Sequence, residues 1–184
     1  MYLLDTNIVS ELSKAKGGKA DKNVEAWANS VSATSLFLSA ITILELETGI
    51  LLIERRDPAQ GAMLRTWLDG HVLPAFSGRI LAVDIAVAQR CAKLHVPDPR
   101  AQRDALIAAT ALVHGMTVVT RNVADFESAG VEIFNPWGSY QALNSEPMQD
   151  VLRSKRINRK RCASCVGTSC IGYPIVYLRA SSIR

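Results

Sequence analysis

Cysteine is scarce where a core would form. Of the four cysteines, Cys91 stands alone in an amphipathic segment, and Cys162, Cys165 and Cys170 crowd together late in the chain. A disulfide framework spread through the core-forming part is therefore excluded. Long apolar runs are missing too: the longest, ALIAATALV, falls well short of the ~18 residues that cross a membrane. The N-terminus lacks a basic region and a signal-type apolar stretch, because Asp5 interrupts it, so a cytoplasmic location is the expectation. Histidine is limited to His71, His95 and His114, which are scattered and whose neighbours suggest no catalytic triad. No internal repeat is visible.

A global basic charge is also missing. The net charge is +4, but residues 1–138 hold 13 Lys and Arg against 15 Asp and Glu, a balance of −2. Residues 139–184 hold 8 against 2, a balance of +6, so the basic character belongs to the tail alone. Nucleic-acid binding by bulk positive charge thus applies to the tail and not to the body.

What is present suits one globular domain with an extension. The chain has 184 residues and is 48% hydrophobic, enough for a real core. Short, β-branched apolar segments at 2–4, 36–39, 79–83, 116–120 and 131–134 read as strands. Between them, 6–13, 22–31, 40–56, 59–70, 85–96 and 103–115 read as helices, with Pro58 in a first turn, Asp84 as an N-cap and Gly115 as a C-terminal stop. This alternation predicts an α/β fold, with a short central parallel sheet flanked by helices on both faces. The domain is expected over 1–138. Residues 139–184 read as a basic, Cys-containing extension with little order of its own.

Open parallel sheets bind ligands at the carboxyl ends of their strands. Asp5 ends the first strand, Glu45 lies about one turn into the helix after the second, and Asp104 opens the helix before the fourth. Asn122 and Asp125 lie in the expected loop after the fourth strand, behind Thr120. Carboxylates drawn together must be protonated or neutralised, and with water they suit Mg²⁺ or Mn²⁺. Each residue also has an ordinary reading. Asp5 fits an N-cap, Asp104 a first-turn acid favoured by the helix dipole, Asp125 a loop cap, Thr120 a β-branched strand end, and Glu45 or Glu47 a solvated surface acid.

The joint pattern resembles the PIN-domain ribonuclease family, and within it the VapC toxins of toxin–antitoxin pairs, FitB-like branch. LLDTNIVSEL, LSAITILELETGI, LPAFSGRILAVD, RDALIAATALVHGMTVVTRNVADF and VEIFNPW occur in the family's order over residues 1–137. The resemblance implies a PIN-like fold with Asp5, Glu45 and Asp104 as metal-binding acids, Glu45 being preferred to Glu47 by the T-x-x-E-L pattern. Either Asp125 or Asn122 completes the set, Thr120 lies near the attacking water, and Asn7 supports the ligands. It further implies Mg²⁺- or Mn²⁺-dependent hydrolysis of RNA phosphodiester bonds by metal-activated water. It implies a homodimer and a cognate VapB/FitA-like antitoxin that blocks the cleft and carries the pair onto operator DNA. Arg103 and Arg121 flank the site and fit either phosphate guidance or neutralisation of the acids.

Three features stand apart. A haloacid dehalogenase-type phosphatase also places an Asp after its first strand, but it wants a second acid two residues on, where this chain has Asn7. A non-catalytic PIN-like module binding RNA or antitoxin has Asn122 as its support. RSKRINRKR and CASCVGTSC lie beyond NPW, where the family's pattern ends; the first suits an RNA grip or a plain basic extension, and the second is half of a zinc site at most.

Overall fold

A computed structural model describes residues 1–138; the basic segment and the three late cysteines lie outside the described residues. Five parallel strands, β1 (Tyr2–Leu4), β2 (Leu36–Ser39), β3 (Ile80–Leu81), β4 (Thr117–Val119) and β5 (Ile133–Phe134), form one sheet in the order β3-β2-β1-β4-β5. The helices are α1 (Thr6–Ser13), α2 (Lys22–Ser30), α3 (Ala40–Arg56), α4 (Pro58–Trp67), α5 (Leu73–Ala75), α6 (Ile85–Leu94), α7 (Gln102–His114) and α8 (Val123–Glu127). The chain winds outward from β1 to β3, then returns across β1 to β4 and β5. Right-handed crossovers put the helices of the two halves on opposite faces.

Burial bears this out along single strands. Successive residues of a strand point to opposite faces, yet Leu3 and Leu4 are both 0% exposed, as are Val118 and Val119. One face packs Leu3 and Val118 against Ile107, Ala108 and Ala111 of α7 and Phe126 of α8. Trp27 of α2 sits against Tyr2 and Phe134, with ring centroids 5.6 and 5.5 Å away.

Several boundaries depart from the sequence expectation, each for a local reason. β3 keeps two of its expected five residues, because it pairs only with Leu38 and Ser39 before Ser39 turns into α3. The helix expected to stop at Gly70 continues through a wide π turn, Leu68–Val72, into α5. Buried Leu68 and Val72 hold that turn, and it precedes Pro74, which has no N–H to give. The helix α6 ends at Leu94, short of Val96, because a residue before proline disfavours helical backbone. The loop expected after the fourth strand contains α8, fixed by buried Phe126.

The long helix α3 is anchored on its outer side by α4. Arg65 Nη1 of α4 lies 2.5 Å from Glu47 Oε2, and its Nε lies 3.3 Å from Glu54 Oε1. A methyl group at Gly61 would come within 2.6 Å of the Glu54 Cα and 2.8 Å of its backbone nitrogen. Backbone cannot step aside cheaply, so the usual helical gain of Ala over Gly is overridden here. Gly61→Ala is expected to destabilise the protein by about 1–3 kcal/mol, read as a lower denaturation midpoint. An unchanged or raised midpoint would show that α4 can shift away from α3.

Candidate functional site

The reversal of strand order falls between β1 and β4, and that crevice is where such sheets place ligands. Asp5 leaves β1 directly into it and is 7% exposed. The expected capping role is present: one carboxylate oxygen, Oδ1, accepts from the Thr6 N–H at 2.7 Å. Capping does not account for Oδ2, which accepts from the Asn7 amide at 2.7 Å and the Thr120 hydroxyl at 2.7 Å. Burial pushes the Asp5 carboxyl up from its ordinary range; the bonds from Thr120, Thr6 and Asn7 oppose the shift, and the Glu45 charge adds to it.

Thr120 is wholly buried at the end of β4. Its hydroxyl donates to Asp5 and accepts from the Asn7 amide and the Asn122 backbone N–H, each at 3.0 Å. The Asn7 side-chain oxygen accepts from the Arg121 N–H at 3.3 Å. Asn7 therefore serves Asp5 as an amide donor at the position where a phosphatase of the kind considered above would carry its second acid.

Glu45 and Glu47 face different neighbours. Glu45 Oε2 accepts from the Thr6 hydroxyl, and its Oε1 lies 3.9 Å from Arg103 Nη1. Glu47 is held by Arg65 of α4. Asp104, in the first turn of α7, is half-buried. Burial pushes its carboxyl up, followed by the charges of Asp125, Asp5 and Glu45, while Arg103 opposes. Asp104 thus feels the charges of three acids that come from three other elements.

Asp125 lies in the first turn of α8 and not in a loop, and it is exposed. Asn122 occupies the N-cap position of α8 without capping it, and its side chain makes no hydrogen bond among the described residues. Two hydroxyls were not singled out by sequence. The Thr6 bond to Glu45 had no sequence signal beyond adjacency to Asp5. Thr42, wholly buried, donates to the Leu4 carbonyl at 3.2 Å and pins α3 to the end of β1. It is the Thr of T-x-x-E, so the pattern contained it.

The donor set is all oxygen, which suits a hard divalent cation. Among the described residues no group of three His, Cys, Asp or Glu side chains is arranged to hold a metal ion. What fits a Mg²⁺-type ion here is the chemistry of the donors, carboxylates with room for water, and not a closed set of ligands.

Comparison with known proteins agrees with the fold. The PIN domain family matches residues 2–131. The chain is 39% identical over 144 residues to VapC ribonuclease Y4jK of Sinorhizobium fredii, covering 74% of this chain and 98% of that protein. It is 38% identical over 143 residues to Toxin FitB of Neisseria gonorrhoeae, covering 74% and 99%. Among solved structures, FitAcB from Neisseria gonorrhoeae is similar at a TM-score of 0.68 and 37% identity, covering 75% of this chain and 99% of that one. FitAB bound to an IR36 DNA fragment is similar at a TM-score of 0.67 and 37% identity, covering 74% and 96%.

The upward shift of Asp104 has a sign that can be tested. A carboxyl whose pKa is raised on folding binds more protons in the folded state between its unfolded and folded values. Stability from this group is therefore full below the ordinary 3.8 and is lost as pH rises through the folded value. Asp104→Asn removes that loss. In metal-free buffer at pH 7 the variant is expected to melt higher than the parent, by about 2–4 °C for each kcal/mol of repulsion relieved. The difference should vanish as pH falls below the carboxylate range. A variant that melts lower than the parent at pH 7 would show that Asp104 stabilises the fold.

Proposed function

The chain belongs to the PIN-domain family, and from that premise we propose that it is a metal-dependent endoribonuclease toxin held in check by a cognate antitoxin. The observation that carries the reading is the buried Asp5 carboxylate at the β1–β4 crevice, held by Thr6, Asn7 and Thr120, with Glu45 on the Thr6 hydroxyl and Asp104 in the field of the other acids. So much negative charge weakens the fold unless something neutralises it. The relatives described above include a ribonuclease and a toxin, and the similar solved structures include a FitAB assembly on DNA.

In this reading Asp5 and Asp104 hold Mg²⁺ or Mn²⁺, Glu45 lies beside them, and Asp125 adds charge at the outer edge. When bound, a divalent ion supplies Lewis-acid activation of water and neutralises charge on the phosphodiester. The chain's own residues do the orienting. Thr120 and Asn7 fix the Oδ2 atom of Asp5, the Thr6 N–H fixes Oδ1, and the Thr6 hydroxyl fixes Glu45. Thr120 acts through Asp5, because its buried hydroxyl is engaged there. Arg103 restrains Glu45 from the solvent side.

A homodimer, an antitoxin that covers the crevice, and operator binding through that antitoxin complete the proposal. Leu44, Leu51 and Leu52 on α3 and Met63 on α4 are exposed, and apolar surface of this kind supports protein partners. No described helix is long and apolar enough to cross a membrane. Asn122 is the one residue that favours a non-catalytic module, and Asp125 on the next turn supplies the charge that Asn122 lacks.

The test is cleavage of total RNA by purified, antitoxin-free protein. With Mg²⁺ or Mn²⁺ the parent should cut and with EDTA it should not, while Asp5→Asn and Asp104→Asn should each slow cleavage by about 100-fold or more. Cleavage that persists in EDTA, or in a folded Asp5→Asn protein, would remove the metal-site reading. The support of Glu45 by Thr6 is checked separately by Mn²⁺ titration followed by electron paramagnetic resonance. Thr6→Val should weaken Mn²⁺ affinity about 10- to 100-fold, and Thr6→Ser should restore it. Equal affinity in Thr6→Val would leave that hydroxyl no role in the site.

A further inference from the structure

The carboxyl edge of the sheet carries more than acids. One strand over from Asp5, β4 ends at Val119, and Arg121 follows the buried Thr120. The neighbouring parallel strand β5 pairs Phe134 with Val119, so residues 135–137 leave the sheet at the same end. Arg121 and Trp137 meet there, with the guanidinium carbon 5.8 Å from the centre of the indole.

Both partners are fixed in place by backbone contacts. The Arg121 N–H donates to Asn7, whose amide donates to Asp5, so Arg121 is tied to the acid site through one side chain. The Asn135 side chain accepts from the Trp137 N–H at 2.9 Å, closing a tight turn, and Pro136 within it is buried. Asn23 of α2 donates to the Trp137 carbonyl at 3.5 Å. The indole is half-buried and the Arg121 side chain is exposed.

The two arginines that flank the acids are used differently. Arg103 faces Glu45. The Arg121 guanidinium makes no hydrogen bond or ion pair among the described residues and rests beside the indole. Glu11, an acid that feels the Arg121 charge, is already engaged by Lys14 at 2.8 Å and the Asp21 N–H at 2.9 Å. An unengaged planar cation beside a rigid aromatic ring matches the chemistry of a single-stranded nucleotide. The cation takes a phosphate, and the ring offers a face to a base.

We infer that Arg121 and Trp137 form a one-nucleotide subsite for single-stranded RNA, one strand away from the acid crevice, that grips the substrate beside the bond to be cut. The inference rests on the endoribonuclease reading and adds which part of the substrate is held and by what. No sequence-specific readout is implied, because every base has a stacking face.

The experiment measures binding apart from cleavage. Full-length protein carrying Asp104→Asn, kept in EDTA, is titrated into a fluorescein-labelled 12-residue oligouridylate and followed by anisotropy. Adding Trp137→Leu should weaken binding by about 5- to 100-fold, with Trp137→Phe recovering part of the loss. Arg121→Gln should lower the slope of log affinity against log salt by about 0.7, the value of one single-strand phosphate contact. In the otherwise unaltered chain, Trp137→Leu should raise KM for RNA cleavage and leave kcat nearly unchanged, which a damaged fold would not do. Affinity and salt slope that survive both substitutions in folded protein overturn the subsite, and metal-dependent cleavage of total RNA by the parent would still stand. A parent that neither binds the oligonucleotide nor cuts RNA overturns the subsite and the nuclease reading together.

Discussion

An ionised carboxylate taken out of water is costly unless its oxygens find donors. Asp5 faces that cost, with two apolar residues before it buried in the sheet and a helix starting at the next residue. Its donors come from Thr6 and Asn7 in the first turn of α1 and from Thr120 at the end of β4. Thr120 can reach Asp5 only if β1 and β4 pair with Leu4 opposite Val119, as they do. A slip by one residue would turn Thr120 to the other face of the sheet and leave Oδ2 one donor short. Strand register, helix start and site geometry are therefore one constraint.

The same coupling reaches α3. Thr42 ties its first turn to the Leu4 carbonyl, and one turn later Glu45 meets the Thr6 hydroxyl. The outer side of α3 is clamped by Arg65 and by the close approach of Gly61. Glu45 is thus positioned from both sides, by the site and by a contact far from it. The acids, by contrast, weaken the fold: Asp5 and Asp104 are both pushed up by burial and by neighbouring acids. What offsets them is apolar burial in the sheet and α7, where Leu3, Ile107 and Val118 are fully enclosed.

Sequence periodicity located the long elements well, because each carried its own end signals. The helix α3 matches residue for residue, beginning after Ser39, whose hydroxyl accepts from the Ile41 N–H, and ending before Asp57 and Pro58. The helix α7 stops at Gly115, which adopts a left-handed φ of 61°. Short elements were less legible. The edge strand β3 depends on how much of β2 is left to pair with, and α8 depends on one buried phenylalanine. Neither is written in local periodicity. The acids themselves could be singled out from their places after strands and in helix starts. Thr120 and Asn7 entered through the family resemblance and not through local pattern, and the Thr6 bond to Glu45 was not legible at all, because it joins residues 39 positions apart.

Charge explains why the rim of the crevice matters for an RNA substrate. Residues 1–138 carry a balance of −2, so the body offers no long-range attraction to a polyanion. An acidic crevice makes approach harder still until a cation occupies it. What residues 1–138 contribute to affinity must then come from short-range terms, and these are contact with a ring and a guanidinium without an ion-pair partner among the described residues. Most arginines near the sheet are already engaged: Arg79 holds the Ala33 and Leu36 carbonyls, Arg100 the Leu94 carbonyl, Arg65 two glutamates and Arg103 Glu45. Arg121 is different because its backbone is committed to the site while its side chain is not. Its backbone is bound to Asp5 through Asn7 and its side chain is open to solvent, so its charge stands beside the crevice without adding charge inside it.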